Sequence, residues 1–175
     1  MHQSTDHFSV NGRTIDNLTL ADCWTWAYSD LTDSMNRSVL AEFIVATALD
    51  VADQNVRRSL QVRRPYNLLS KDGYRIAVES ASYIQSCDAE HPDHVTFRTI
   101  SASLCDVCIF CIHKALSEDV SPLNLDTWDF YIIHSGVLAN TTEHKTLTMP
   151  SLLKLEPLWC DYYGIEEAVR ETMNA

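Results

Sequence analysis

The stretch Tyr66-Asn67-Leu68-Leu69-Ser70-Lys71-Asp72-Gly73-Tyr74-Arg75-Ile76-Ala77-Val78-Glu79-Ser80 decides the architecture. Residues 65 to 69 read as extended. Lys71-Asp72-Gly73 supplies a tight turn, because Asp bonds its own backbone and Gly tolerates left-handed geometry. Tyr74 to Ser80 reads as a returning strand, so the whole is an antiparallel hairpin. Residues 82 to 86 continue that strand or bend away from it. Side chains two apart on a strand share a face, which puts Arg75, Ala77 and Glu79 together.

On the N-terminal side, Val10-Asn11-Gly12-Arg13 is a turn signal between two short strands. Thr19 is a candidate cap for a helix running from Leu20 towards Leu31. Its aromatics, Trp24, Trp26 and Tyr28, read as a packing cluster rather than a base-stacking platform. Asn36 or Ser38 is the candidate cap of a second helix, Val39 to Asp53, in which Leu40, Phe43, Ile44, Thr47 and Ala48 form an apolar stripe. On the C-terminal side, Val95 to Ile100, Val107 to Ile112 and Asp129 to Ile133 read as strands. The second of these is almost wholly apolar, as a strand buried on both faces requires. Ser151 to Leu155 and Ile165 to Met173 suggest terminal helices. Helix, then strands, then helices points to an α/β fold, with α+β as the alternative, built on a mixed central sheet flanked by helices.

The chain has 175 residues, 46% hydrophobic and 21% charged, which suits one globular domain over 1–175 with a core of its own. No apolar run reaches the roughly 20 residues of a membrane helix. The polar start, Met1 to Asp6, does not read as a signal peptide, so a cytoplasmic location is expected, with reduced cysteines. Net charge is -11, unevenly spread. Arg57, Arg58, Arg63, Arg64, Lys71 and Arg75 face only Asp72, a local +5, whereas eleven acids face four bases from Cys105 onwards. An acidic chain is a poor general binder of polyanions. The basic segment is therefore a solvated turn or, alternatively, a patch that contacts nucleic acid or a protein partner, with Gln85 nearby.

Four segments carry a resemblance. They are Trp24-Thr25-Trp26 with Ser29-Asp30-Leu31; Arg37 ahead of Leu40-Ala41-Glu42-Phe43-Ile44-Val45-Ala46; Tyr66-Asn67-Leu68-Leu69 before Asp72-Gly73; and Val78-Glu79-Ser80-Ala81-Ser82-Tyr83-Ile84-Gln85-Ser86. Val107 to Cys111 and Trp128 to Tyr131 extend it. In order and spacing, over about residues 18 to 135, the chain resembles a bacterial branch of the PD-(D/E)xK, or restriction-endonuclease-like, superfamily. The resemblance implies a site in which an Asp ends one strand, Glu-x-Lys lies on the next, and a helical Glu completes it. Such carboxylates hold Mg²⁺, which activates water, while the lysine offsets charge at the phosphate.

Carried across, that pattern is degenerate. The motif Asp falls on Asn67, the Glu on Ala77 and the Lys on Glu79; only the helical Glu, at Glu42, is kept. One metal-binding carboxylate remains in the triplet and no cation stands at the lysine position. Loss of a single electrostatic contact of this kind costs about 10²–10³ in rate. A rearranged site would use Arg75 as a displaced cation with Glu42 and Glu79 holding Mg²⁺, although arginine orients phosphate and cannot act as a base. The bland alternatives are a Glu42 paired with Arg37 or Arg75, and a Glu79 paired with Arg75.

Cys105-x-x-Cys108-x-x-Cys111 with His113 has the spacing of cluster ligands. In an apolar strand, however, alternation sends Cys105 and Cys111 to one face and Cys108 to the other, so buried hydrophobes are expected. His91-Pro92-Asp93-His94 reads as a loop. Two functions follow as expectations. The first is a catalytically inactive, nuclease-like binding or regulatory protein without a cofactor, engaging a protein partner or DNA, with a homodimer allowed. An acidic inhibitor in phage or mobile-element conflict with host defence is one form of it. The alternative is a Mg²⁺-dependent DNA endonuclease with a rearranged site.

Overall fold

A computed structural model describes residues 2–54, 66–85, 95–98, 104–117, 119–139 and 146–174. The chain opens with an antiparallel hairpin, β1 (His7–Val10) and β2 (Arg13–Thr19). Asn11 and Gly12 both adopt positive φ, 49° and 73°, the paired left-handed geometry that matches strand twist in a two-residue turn. Thr19 caps α1 (Leu20–Tyr28) as expected, in a reciprocal capping box with Asp22. The second helix, α2 (Ser34–Ala48), begins earlier than Asn36 or Ser38 would allow. Asp33 is its cap, accepting from the amides of Met35 and Asn36. It also ends before Asp53, because Asp50 turns to a φ of 53°.

The central sheet has five strands in the order β3 (Leu68–Leu69), β4 (Arg75–Ser82), β6 (Val107–His113), β7 (Trp128–His134) and β9 (Leu158–Cys160). β3 and β4 form the expected hairpin, with Gly73 at a φ of 87°. β4 and β6 are parallel, pairing Ile76 with Val107 through to Ser82 with His113. β7 and then β9 add in antiparallel fashion. Every residue of β6 is buried, as its apolar run requires.

The fold is thus α/β with a mixed sheet flanked by helices. One face carries Ile76, Val78, Val107, Ile109, Cys111, Phe130 and Ile132. It packs under α2, through Ala41, Ile44 and Val45, and under α5 (Ile165–Asn174), through Ile165 and Val169. The opposite face carries Ala77, Ala81, Cys108, Phe110, Ile112 and Ile133. It is covered by a separate two-stranded sheet, β5 (Thr96–Arg98) with β8 (Thr146–Thr148), and by α3 (Ser135–Ala139) and α4 (Met149–Leu153). No helix among the described residues is long and apolar enough to cross a membrane.

Three expectations about packing fail. None of residues 2 to 30 is buried, so Trp24, Trp26 and Tyr28 are not a packing cluster; Trp26 is 86% exposed. Phe43 likewise points outward from α2, leaving the core stripe to Ala41, Ile44 and Val45. Cys105 also parts from Cys111. It lies before β6 begins, outside the strand's alternation, and its Sγ stands 3.5 Å from that of Cys108 in the second cluster.

Candidate functional site

The hairpin and α2 bring two of the carried-over positions into contact. Asn67 heads β3, where its amide N–H donates to the Ile76 carbonyl and its Oδ1 accepts from the Val78 N–H at 2.7 Å. These bonds fix the side chain, and its Nδ2 then donates to Glu42 Oε1 at 2.8 Å. A carboxylate at position 67 would instead face Glu42 with acceptors alone, an arrangement that needs a cation or a shared proton. The amide satisfies Glu42 without either.

The other positions lie elsewhere. Ala77 is 3% exposed in the second core cluster. Glu79 pairs in register with Phe110 and so belongs to that same face, whereas α2 and Glu42 sit on the other. Glu42 and Glu79 are therefore separated by the sheet. Among the described residues no group of three His, Cys, Asp or Glu side chains is placed to share a metal ion.

Arg75 pairs with neither glutamate in the way the sequence suggests. Asp106, just before β6, takes it in a fork: Nη2 to Oδ1 at 2.6 Å and Nε to Oδ2 at 3.1 Å, with the Arg75 backbone N–H on Oδ2 at 2.8 Å. The guanidinium beside Asp106 holds that carboxyl below its usual range. Lys71, expected as a contact residue, bonds Asp50 at 2.5 Å on the surface. Gln85 closes a short 3₁₀ turn after β4. Arg57, Arg58, Arg63 and Arg64 lie outside the described residues, as do His91 to His94.

A second constellation joins residues that the sequence reading kept apart. The residues of β4 that face α2 run Ile76, Val78, Ser80, Ser82, apolar at first and hydroxylic towards the C-terminal end. Ser80 Oγ meets Ser38 Oγ of α2 at 3.2 Å. Beyond them lies a partly open cavity of about 160 Å³, whose polar lining is Thr32, Arg37, Ser82 and His113. Arg37 is 4% exposed and donates from Nη1 to the Thr32 carbonyl at 3.1 Å. His113 is 3% exposed and rests against the Trp128 ring with centroids 5.1 Å apart; burial, with the Arg37 charge, pushes its pKa below the ordinary histidine value. The sequence signals were Ser-x-Ser at the end of a strand and a histidine closing an apolar run, neither specific alone.

Comparison with protein-family models returns no match, and comparison with curated proteins returns none. The functional reading therefore rests on residues and geometry.

Proposed function

We propose that the protein is a binding or regulatory module built on a degenerate, restriction-endonuclease-like scaffold, one that engages a partner without cutting DNA. The bond from Asn67 to Glu42 carries this reading. At the position where a nuclease of this kind would set two carboxylates around Mg²⁺, a neutral amide already satisfies the surviving glutamate. The separation of Glu42 from Glu79 by the sheet, and the capture of Arg75 by Asp106, give the rearranged endonuclease no support.

Charge and exposed aromatic surface favour a protein partner over DNA. The chain carries -11 overall, and residues 2 to 30 hold four aspartates against Arg13 alone. That segment also exposes Trp24, Trp26 and Tyr28, of which Trp24 and Tyr28, four apart, share a helix face, and exposed aromatic surface marks interaction sites. A basic, apolar protein surface complements it, whereas a phosphate backbone is repelled. An acidic inhibitor acting between mobile elements and host defence is the concrete form this takes.

The test uses the purified chain with plasmid and single-stranded DNA, in Mg²⁺ and in Mn²⁺. The expected result is no nicking, and no gel shift at low or high salt. Metal-dependent cutting that disappears in Glu42→Ala and Glu79→Ala overturns the reading. A shift that weakens steeply with salt points to DNA through the basic segment instead.

A further inference from the structure

We propose that Cys105 and Cys108 form a redox-active dithiol, which a hydroperoxide closes to an intramolecular disulfide and a thiol reductant reopens. The inference is independent of the nuclease likeness. Cys105-Asp106-Val107-Cys108 has the two-residue spacing of dithiol centres, and the fold puts its two sulfurs in contact. The Sγ atoms lie 3.5 Å apart, so reaching the about 2.05 Å of a disulfide takes a shift of about 1.5 Å. Cys108 is fixed in β6, paired with Ala77 on one side and Ile133 on the other. Cys105 precedes the strand, outside its ladder, so its side chain can turn while Cys108 stays in place. The two remaining cysteines of the sheet are arranged differently. Cys111 and Cys160 both pair with Phe130, one from β6 and the other from β9. Two strand spacings of about 4.8 Å each hold them beyond the roughly 7 Å limit for a bridge.

The two thiols are unequal in the way such chemistry needs. The hydrogen bond from Cys108 lowers the Cys105 thiol below its ordinary value, against the opposing effect of burial. The same bond, together with burial, pushes Cys108 up. Arg75 and Asp106 act on Cys105 in opposite senses and are bonded to each other, so the contact between the sulfurs decides. Since the thiolate is the nucleophile, Cys105 attacks and Cys108 resolves. Both are buried, which selects an oxidant as small as hydrogen peroxide; Leu104, beside Cys105, is 41% exposed, so the attacking sulfur lies one residue from the surface.

In the first step the Cys105 thiolate attacks one peroxide oxygen and breaks the O–O bond, giving a sulfenic acid and hydroxide. In the second, the Cys108 sulfur attacks the Cys105 sulfur. The S–S bond forms, and the sulfenic hydroxyl leaves with the Cys108 proton as water. Two thiols are oxidised and one peroxide is reduced to two waters, the hydroxide taking the proton that Cys105 released. The effect is felt at a corner of the fold. The Cys105 carbonyl accepts from Ser135 Oγ at 2.8 Å, and the Asp106 carbonyl from the Ser135 N–H at 3.0 Å. Asp106 also holds Arg75. Closing the disulfide therefore pulls on the contacts that join β4 and α3 to the start of β6.

The test treats the whole chain, reduced and then freed of reductant, with hydrogen peroxide. Digestion before Asp106 separates the two cysteines, and mass spectrometry reads the products. The expected result is an intact mass lower by two hydrogens, a link between the peptides of Cys105 and Cys108, and free thiols again after dithiothreitol. Cys108→Ser should leave Cys105 as a sulfenic acid that dimedone traps. Cys105→Ser should lose the bridge and leave Cys108 unmodified. Where either variant fails to fold, the linked peptides of the unsubstituted chain still decide. Three results overturn the proposal: both thiols still free once the exposed Cys23 is oxidised, a bridge that forms only in urea, or Cys105 joined to a cysteine other than Cys108. DNA cutting would overturn the proposed function and leave this inference standing.

Discussion

Asn67→Asp puts an acid where the proposed nuclease likeness expects one, and the geometry says it should destabilise the protein near neutral pH. The Oδ1 that accepts from Val78 survives the change; the donor to Glu42 at 2.8 Å does not. Two carboxylates with centres about 4 Å apart repel by about 1–4 kcal/mol, depending on whether water or protein sets the dielectric. Position 67 is exposed, so the lower part of that range applies. With the lost bond to a charged acceptor, the total comes to about 2–3 kcal/mol. For a chain of this size that is a fall of about 5–10 °C in Tm. The crowded pair also titrates higher than an isolated carboxyl. A raised folded-state pKa means that the folded protein binds more protons, so the penalty grows as pH rises and fades towards about pH 4. Differential scanning calorimetry in EDTA across that interval measures it. Millimolar Mg²⁺ should recover part of the loss by replacing the missing donor. An unchanged Tm at neutral pH in EDTA, or a loss of equal size at the acid end, would refute the reasoning.

Other perturbations separate the core from the periphery. Trp128→Ala should cost about 3–5 kcal/mol, whereas Trp26→Ala should stay within about 0.5 kcal/mol, since Trp128 is fully buried and Trp26 is not; urea denaturation distinguishes them. Arg75→Ala should lower stability above the Asp106 titration and remove the acid loss that the pair contributes. Asp106 has a depressed pKa, so its contribution is present above the ordinary carboxyl value and disappears as pH falls through the depressed one. A pH series of urea midpoints reads that difference. Cys23 should react with a thiol reagent in the folded state, while Cys108 and Cys111 should label only on unfolding. Cys160, its thiol pushed up to about 11 by burial, should label slowly; mass spectrometry of timed samples resolves the order.

Much of the scaffold was legible because it is local. The hairpin around Gly73, the Thr19 cap and the all-apolar β6 each depend on a few adjacent residues whose physical preferences agree. What was hidden depends on partners distant in sequence. Val95 to Ile100 reads as a strand like any other, and nothing local says that β5 leaves the main sheet to pair with β8. The three residues of β9 are too few to show a period, and they become a strand because β7 offers them an edge. The outward aromatics of α1 follow from the one-way nature of the burial rule: apolar residues fill cores, but an apolar residue is not thereby inside. Cys105 went astray because strand alternation was extended past the end of the strand.

The alternation of β4 explains why positions 75, 77 and 79 and the cavity can be separated. Its odd positions carry Arg75, Ala77 and Glu79, where the nuclease pattern would place its charges, and there Ala77 now completes a core. Its even positions carry Ile76, Val78, Ser80 and Ser82, which bind α2 and then open onto Arg37 and His113. A change at position 77 or 79 is felt by Phe110 and the face beneath β5 and β8; a change at 80 or 82 is felt by α2. Substitutions within one set should therefore couple more strongly than substitutions across the two sets, whose side chains pack against different faces. Each face of the strand answers to a different set of neighbours, so a change on one face leaves the packing of the other in place.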